Sequence, residues 1–157
     1  LTEDLSGIIL PGGESTVMGK LLGELGMQEP LKKKIQEGFP VFGTCAGLIL
    51  LAKEVEDNPS HLATMSIRVK RNAYGRQLGS FHTTGSVGTI EDFPMTFIRA
   101  PYITDASKDV TILSTINDNI VGVRYQNQIA LAFHPEVTDD LRIHELFLEV
   151  VQNYKKQ

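Results

Sequence analysis

The sequence lacks several features that would assign it to a class at once. It has one cysteine and no tryptophan in 157 residues, so no disulfide can form within the chain. No apolar run approaches the roughly 20 residues of a membrane span, and no charged-then-apolar leader precedes the first strand. Basic residues number 15 against 19 acidic ones, without a basic stripe that would bind nucleic acid. We therefore expect a cytoplasmic protein that binds neither nucleic acid nor membrane.

What the chain does have is the composition of an ordinary globular domain. Hydrophobic residues make up 41% of it and charged residues 22%, and its length suits a single core. We expect residues 1–157 to form one domain. Because Leu1 is not a methionine and an apolar strand begins soon after it, we also expect that a natural amino-terminal segment is absent from this sequence.

The first half of the chain predicts strands that alternate with helices. Short apolar runs at residues 6–10 and 40–43 are typical of buried strands. Helical spacing of apolar residues predicts helices over 15–25, 30–38 and 46–53. This order predicts an α/β sandwich of three layers, in which helices cover both faces of a parallel sheet.

The second half is richer in strand signals and ends on a helix. Six further strands are predicted at residues 65–70, 78–83, 95–98, 110–116, 120–125 and 129–133. The segments Asn117-Asp118-Asn119 and Asn127-Gln128 are turn signals of hairpins. Residues 139–154 predict an amphipathic helix capped by Thr138 or Asp139. The central sheet is therefore expected to be mixed and mainly parallel.

The residues around the single cysteine form the pattern of a nucleophile elbow. Gly43-Thr44-Cys45-Ala46-Gly47 is Gly-x-nucleophile-x-Gly at a strand-to-helix junction, where a Cβ at either glycine would collide with its neighbours. The following helix dipole favours the thiolate, and the Ala46 N–H lies where an oxyanion would form. The alternative is a buried structural cysteine between two packing glycines, and this pattern alone does not decide between them.

A second set of candidate residues, His134-Pro135-Glu136, follows the apolar strand at 129–133. Parallel sheets place their sites at the carboxyl ends of strands. A cysteine nucleophile needs an imidazole to move its proton and a carboxylate to orient that imidazole. Pro135 is expected to keep the backbone extended so that both side chains point the same way. Taken alone, this segment is explained by a strand-end histidine beside a solvated glutamate. Taken together with the elbow, the segment predicts a catalytic triad of Cys45, His134 and Glu136.

A glycine pair, Gly12-Gly13, follows the first strand and predicts a close approach of the backbone to a ligand. Its N–H groups, with that of Ala46, are candidates for an oxyanion hole. The alternative is an ordinary turn between a strand and a helix. A phosphate-binding loop is excluded, because five residues separate Gly13 from Gly19 where that motif has four, and Leu21 replaces its Ser or Thr.

These three segments, in this order, resemble the triad-type (class I) glutamine amidotransferases. The longer segments GIILPGGEST, FGTCAGLILLAKE, RNAYGRQ, FIRAP and FHPE are similar to the glutaminase subunits of pyridoxal 5′-phosphate synthases. Ile49 stands where the elbow of most other class I members has a glutamine. The resemblance covers essentially the whole chain and implies a flavodoxin-like class I glutaminase fold. It also implies that one strand–helix unit is missing before Leu1 and that the stretch 83–88 is short.

The resemblance implies that the chain hydrolyses L-glutamine to glutamate and ammonia, and that the ammonia passes to a partner synthase that makes vitamin B6. It makes Cys45 the nucleophile, His134 the base and Glu136 the orienting carboxylate. It assigns the glutamine contacts to Gly13, Glu14, Ser15, Arg71, Ile98 and Arg99. A carboxylate and a guanidinium are the groups that a zwitterionic amino acid would need.

Two alternatives to this function stay open. The same residues would serve another triad amidotransferase subunit or a γ-glutamyl hydrolase. A non-catalytic binding protein on the same scaffold is a further possibility, against which the intact Cys–His–Glu set argues. Neither a metal nor another cofactor is expected, because His61, His82 and His144 lack the spacing of metal ligands.

Overall fold

A computed structural model describes residues 5–71 and 80–156 of the chain. Its strands are β1 (Ile8–Leu10), β2 (Val41–Thr44), β3 (Ala52–Val55), β4 (Met65–Lys70), β5 (Ser80–Val87), β6 (Ile90–Ile98), β7 (Tyr102–Ala106), β8 (Thr111–Ile116), β9 (Asn119–Tyr125) and β10 (Gln128–Leu131). Its helices are α1 (Ser15–Glu24), α2 (Gln28–Gln36), α3 (Ala46–Leu51) and α4 (Arg142–Lys155), with a 3-10 turn at Pro135–Val137. The first two residues of the predicted strand 78–83, and the part of the RNAYGRQ segment after Arg71, lie outside the described residues.

The main sheet is mixed. Its strand order is β1-β2-β10-β9-β7-β4-β3, and β8 also pairs with β9. The pairs β1–β2 and β2–β10 are parallel, whereas β9 runs antiparallel to β10. Followed from pair to pair, β1, β2, β7, β8 and β10 point one way and β3, β4 and β9 the other. The predicted mixed, mainly parallel sheet is confirmed, and β5 and β6 form a separate antiparallel hairpin.

Helices cover both faces of the sheet where its parallel strands lie. Phe42 and Gly43 are neighbours in β2 and therefore point to opposite faces. The ring of Phe42 packs on Phe147 of α4, with ring centroids 5.5 Å apart. On the other face, a Cβ at Gly43 would lie 2.7 Å from the carbonyl carbon of Gly47 in α3. The predicted three-layer α/β sandwich is confirmed.

The centre of this sheet is also the centre of the core. Every residue of β2 and β10 is buried, and removing their apolar side chains from water contributes roughly 25 cal/mol for each Å² buried. Buried strands open less readily than loops. The residues that directly follow β2 and β10 are therefore anchored by the most stable part of the sheet. No helix among residues 5–71 and 80–156 is long and apolar enough to span a membrane.

Two elements of the main sheet differ from the prediction. The helix predicted over 46–53 ends at Leu51, and the chain continues as β3, whose Ala52 pairs with Met65 of β4. Strand β7 was not predicted; it is held between β4 and β9. Both depend on partners distant in sequence, and such pairing overrides local propensity.

The start of the last helix was also predicted wrongly. Helix α4 begins at Arg142 rather than at residue 139. Asp140, not Thr138 or Asp139, satisfies an N–H of its first turn, since its Oδ1 accepts from Arg142 N at 3.1 Å. The hydroxyl of Thr138 instead donates to Pro135 O at 3.0 Å and closes the 3-10 turn.

Candidate active site

Cys45 lies on a tight turn between β2 and α3. Its φ of 51° and ψ of −101° are unusual for a residue with a side chain, and its N–H donates to Leu131 O of β10 at 2.8 Å. A Cβ at Gly47 would overlap the carbonyl oxygen of Leu10 in β1. With the contact described above for Gly43, this is the steric reason that the sequence predicted for both glycines.

The thiol of Cys45 is nearly buried, with 8% of the residue exposed. Its Sγ lies 3.9 Å from the carbonyl oxygen of Ile98, to which it donates a weak hydrogen bond. Burial raises the pKa of this thiol, the Ala46 N–H lowers it, and the charge of Glu136 raises it further. The sequence had suggested that the helix would favour the thiolate. That N–H contribution is present, but burial outweighs it, so the resting thiol is protonated at neutral pH.

His134 and Glu136 form a pair at the end of β10. The Nδ1 of His134 lies 2.9 Å from Glu136 Oε2, and the His134 N–H donates to Thr96 O of β6 at 2.9 Å. The backbone at Pro135 is not extended as predicted but turns as a 3-10 helix. The 3-10 turn, and not an extended backbone, brings the side chains of these two residues together.

The loop between β1 and α1 lies against the imidazole of His134. A Cβ at Gly12 would overlap Cε1 of that ring and would lie 3.0 Å from its Nδ1. A real Cβ atom essentially never lies within 3.0 Å of another residue's heavy atom, so only glycine fits here without displacing the histidine. The sequence predicted a close approach of this loop to a ligand; the close approach that the structure shows is that of Gly12 to the His134 ring.

Glu14 and Arg71 form an ion pair at the start of α1. Glu14 caps the helix, because its Oε2 accepts from Val17 N at 2.7 Å and its Oε1 from Thr16 N at 3.1 Å. The Nη2 of Arg71 donates to Glu14 Oε1 at 2.9 Å. The Val17 and Thr16 N–H groups, and then the charge of Arg71, lower the pKa of Glu14. Glu14 is therefore an anion with one cation already beside it.

A pocket of about 300 Å³ opens beside Cys45, next to the Glu14–Arg71 pair, a volume at the lower end of small-molecule sites. It is lined by Gly13, Glu14, Ser15, Cys45, Ala46, Ile49, Arg71 and Arg99. Ile98 adjoins it through the carbonyl that faces Cys45. Among the described residues, no three His, Cys, Asp or Glu side chains are grouped as metal ligands.

Ile49 is a pocket residue that the sequence analysis did not identify as such. Its N–H donates to Cys45 O at 3.2 Å, one helical turn on from the cysteine. The signal was its spacing of four residues from Cys45, about one helical turn, which keeps the first turn of α3 close to the cysteine.

The raised pKa of Cys45 predicts how the isolated chain reacts with alkylating agents. A thiol whose pKa lies above the ordinary value becomes thiolate only at higher pH, so labelling by iodoacetamide should be slow at pH 7 and rise later than for a free cysteine peptide. The measurement is the second-order rate constant across pH 6 to about 10, with mass spectrometry to confirm the labelled residue. A fast plateau that persists below pH 7 would show a preformed thiolate–imidazolium pair and contradict this prediction.

This mixed α/β sandwich has a cysteine on the turn after β2 and a histidine–carboxylate pair after β10, and it is a class I glutamine amidotransferase fold. Residues 2–153 match the SNO glutamine amidotransferase family, and the chain belongs to that family. A crystal structure of a glutamine amidotransferase superposes with a TM-score of 0.92 at 42% identity, over 96% of this chain and 81% of that one. A glutamine amidotransferase from Thermotoga maritima shares the fold at 19% identity, with a TM-score of 0.58 and coverage of 99% of this chain and 74% of that one.

The curated relatives that resemble this chain carry a more specific name than the family does. The chain is 58% identical to the pyridoxal 5′-phosphate synthase subunit PdxT of Desulfitobacterium hafniense (strain DSM 10664 / DCB-2), over 98% of this chain and 77% of that protein. It is 56% identical to PdxT of Haemophilus influenzae (strain PittEE), over 94% and 78% respectively. For PdxT of Streptococcus pneumoniae (strain CGSP14) the identity is 52%, over 98% and 80%.

Proposed function

We propose that this chain is the glutaminase subunit of a pyridoxal 5′-phosphate synthase. It hydrolyses L-glutamine to L-glutamate and ammonia, and it delivers the ammonia to the partner synthase. The observation that carries this proposal is the placement of Cys45, on its elbow, in the same pocket as Glu14 and Arg71. The His134–Glu136 pair and the 58% identity to a PdxT protein support it.

In the proposed reaction, Cys45 is the nucleophile and His134 the general base. Glu136 is bonded to Nδ1 of His134, so Nε2 is the ring nitrogen that accepts the proton of the thiol. As the proton leaves, Cys45 Sγ attacks the side-chain amide carbon of glutamine, and the N–H groups of Ala46 and of the Gly12-Gly13 loop stabilise the oxyanion. His134 returns the proton to the departing ammonia, and water then hydrolyses the thioester. A protonated resting thiol suits this order of steps, because His134 removes the thiol proton only when substrate is present.

The charged residues that line the pocket would bind the α-ammonium and α-carboxylate groups of glutamine. Glu14 takes the α-ammonium group, while Arg71 and Arg99 take the α-carboxylate. Gly13, Ser15 and Ile98 complete the site through short side chains and backbone groups. The Glu14–Arg71 separation of 2.9 Å supports this assignment, because opposite charges side by side match a zwitterion.

The synthase is proposed both to receive the ammonia and to switch on its production. Free ammonia is mostly protonated at neutral pH, so hydrolysis without an acceptor loses the product. A peptide between glycines turns its N–H toward or away from an oxyanion at little steric cost. We place the complex in the cytoplasm, where a lone thiol such as Cys45 stays reduced.

The test is a titration with the partner synthase at saturating glutamine, with glutamate release as the readout. We expect weak activity from the isolated chain and a rise of roughly 10² to 10³-fold on saturation, the contribution of one oxyanion donor. Full activity without any partner would favour a γ-glutamyl hydrolase. Absence of glutamate release at every synthase concentration would favour the non-catalytic alternative.

A further inference from the structure

The connection between β3 and β4, residues 56–64, approaches the glutamine pocket from outside. Its turn contains Asp57 at a φ of 58°, and the Asn58 N–H donates to Val55 O at 3.2 Å. The Nδ2 of Asn58 donates to Glu56 O at 2.8 Å. Because a carbonyl oxygen only accepts, this bond fixes the amide with its Oδ1 pointing away from Glu56.

That Oδ1 accepts from the guanidinium of Arg71. The Asn58 Oδ1 to Arg71 Nη1 distance is 3.0 Å, and the same nitrogen lies 3.3 Å from Thr16 Oγ1. The other terminal nitrogen, Nη2, is bonded to Glu14. An arginine side chain has many rotamers to lose. Acceptors on two elements restrict this one, with Asn58 on one side and the first turn of α1 on the other.

The connection is itself packed on α1, so Asn58 is held relative to that helix. A Cβ at Gly19 would overlap the ring of His61, which shows how closely the ring lies on the helix. Gln28 Nε2 donates to His61 O at 3.1 Å. Burial and the charge of Arg71 lower the pKa of His61, against a smaller opposing effect of Glu14. The ring is therefore neutral at pH 7 and does not repel Arg71.

We propose that Asn58 is a positioning residue for the glutamine site, which holds the Arg71 guanidinium beside Glu14. Asn58 does not line the Cys45 pocket; with Arg71 it lines an adjacent pocket of about 360 Å³. Arg71 thus separates the two pockets, and Asn58 acts on glutamine through it. This inference rests on the proposed function, because it concerns the binding of the same substrate.

The test compares Asn58→Leu with Asn58→Asp in the chain bound to its synthase. Leucine has a similar size but no acceptor, so Arg71 gains freedom and KM for glutamine should rise roughly 3- to 10-fold, the scale of one ordinary hydrogen bond. Aspartate loses the Nδ2 bond to Glu56 O, but its carboxylate keeps an acceptor for Arg71 and adds a charge that strengthens that bond, so KM should stay within about 2-fold of wild type. The kcat of both variants should stay within about 2-fold, because neither change reaches Cys45 or His134.

Asn127→Leu is the matched control. Asn127 also lies in a turn and its Nδ2 donates to a backbone oxygen, that of Gly38, at 2.7 Å, but it precedes β10 and lies at the opposite end of the sheet from Cys45. Its KM should equal that of wild type. A second readout, protection of Cys45 from iodoacetamide by glutamine, should shift for Asn58→Leu by the same factor as KM.

Three results would overturn the inference. They are a wild-type KM in Asn58→Leu, an equal rise in Asn58→Leu and Asn58→Asp, and a loss of kcat at constant KM. A wild-type complex that releases no glutamate would overturn the proposed function, and this inference with it. The two failures are therefore distinguishable by the wild-type assay alone.

Discussion

Cys45→Ala is expected to lower kcat for glutamine hydrolysis by a factor on the order of 10⁵ to 10⁶ in the synthase-bound chain. Without the sulfur no thioester can form, and the remaining groups only bind and polarise the amide. The measurement is glutamate release at saturating glutamine and saturating synthase. It needs an assay sensitive enough to follow a few turnovers over many hours, because the expected residual rate is small.

The fold of this variant should be intact, which separates loss of chemistry from loss of structure. Cys45 makes only a weak hydrogen bond through its sulfur, to Ile98 O at 3.9 Å, so alanine removes little packing. We expect Tm to change by only a few degrees and the affinity for the synthase to be retained. Cys45→Ala with activity within 10-fold of wild type would end the assignment of Cys45 as nucleophile.

The elbow was predictable from sequence because its constraints are local. A strand, a tight turn and a helix leave no room for a Cβ at Gly43 or at Gly47, and the nearest atoms belong to the helix and to β1. Such constraints depend on a few consecutive residues and on a single neighbouring strand. The pattern Gly-x-Cys-x-Gly therefore contains most of the information that defines this geometry.

The environment of the thiol was not predictable in the same way. The sign of its pKa shift depends on how deeply Cys45 is buried and on the charge of Glu136, a residue 91 positions later in the chain. The helix dipole is a local effect and could be anticipated, whereas burial is a property of the assembled core. The sequence identified the favourable contribution and missed the larger one.

Long-range pairing also explains what the sequence missed around the pocket. Glu14 was predicted as a substrate ligand, but its bond to Arg71 joins residues 57 positions apart. The contacts of Asn58 with Arg71 and of His61 with Gly19 depend on the path of the β3–β4 connection. No periodicity reports such a path, since hydrophobic spacing describes which face of an element is buried and not which loop crosses it.

Gly12→Ala is expected to give the second large loss, through His134 rather than through Cys45. The added methyl group would overlap Cε1 of the imidazole, so either the ring leaves Glu136 or the loop moves away from the oxyanion position. Loss of a well-placed general base costs roughly 10² to 10⁴ in rate, and we expect kcat to fall by a factor within that range.

Gly23→Ala is the matched control, because the nearest atom to its added Cβ is Gln28 Oε1 at 3.7 Å and the position lies near the end of α1. That control should keep wild-type kcat and gain about 0.5 to 1 kcal/mol of stability, since alanine favours a helix over glycine. Both should be compared by glutamate release with saturating synthase and by thermal unfolding. If Gly12→Ala folds and hydrolyses glutamine at the wild-type rate, the close packing of this loop on His134 has no part in catalysis.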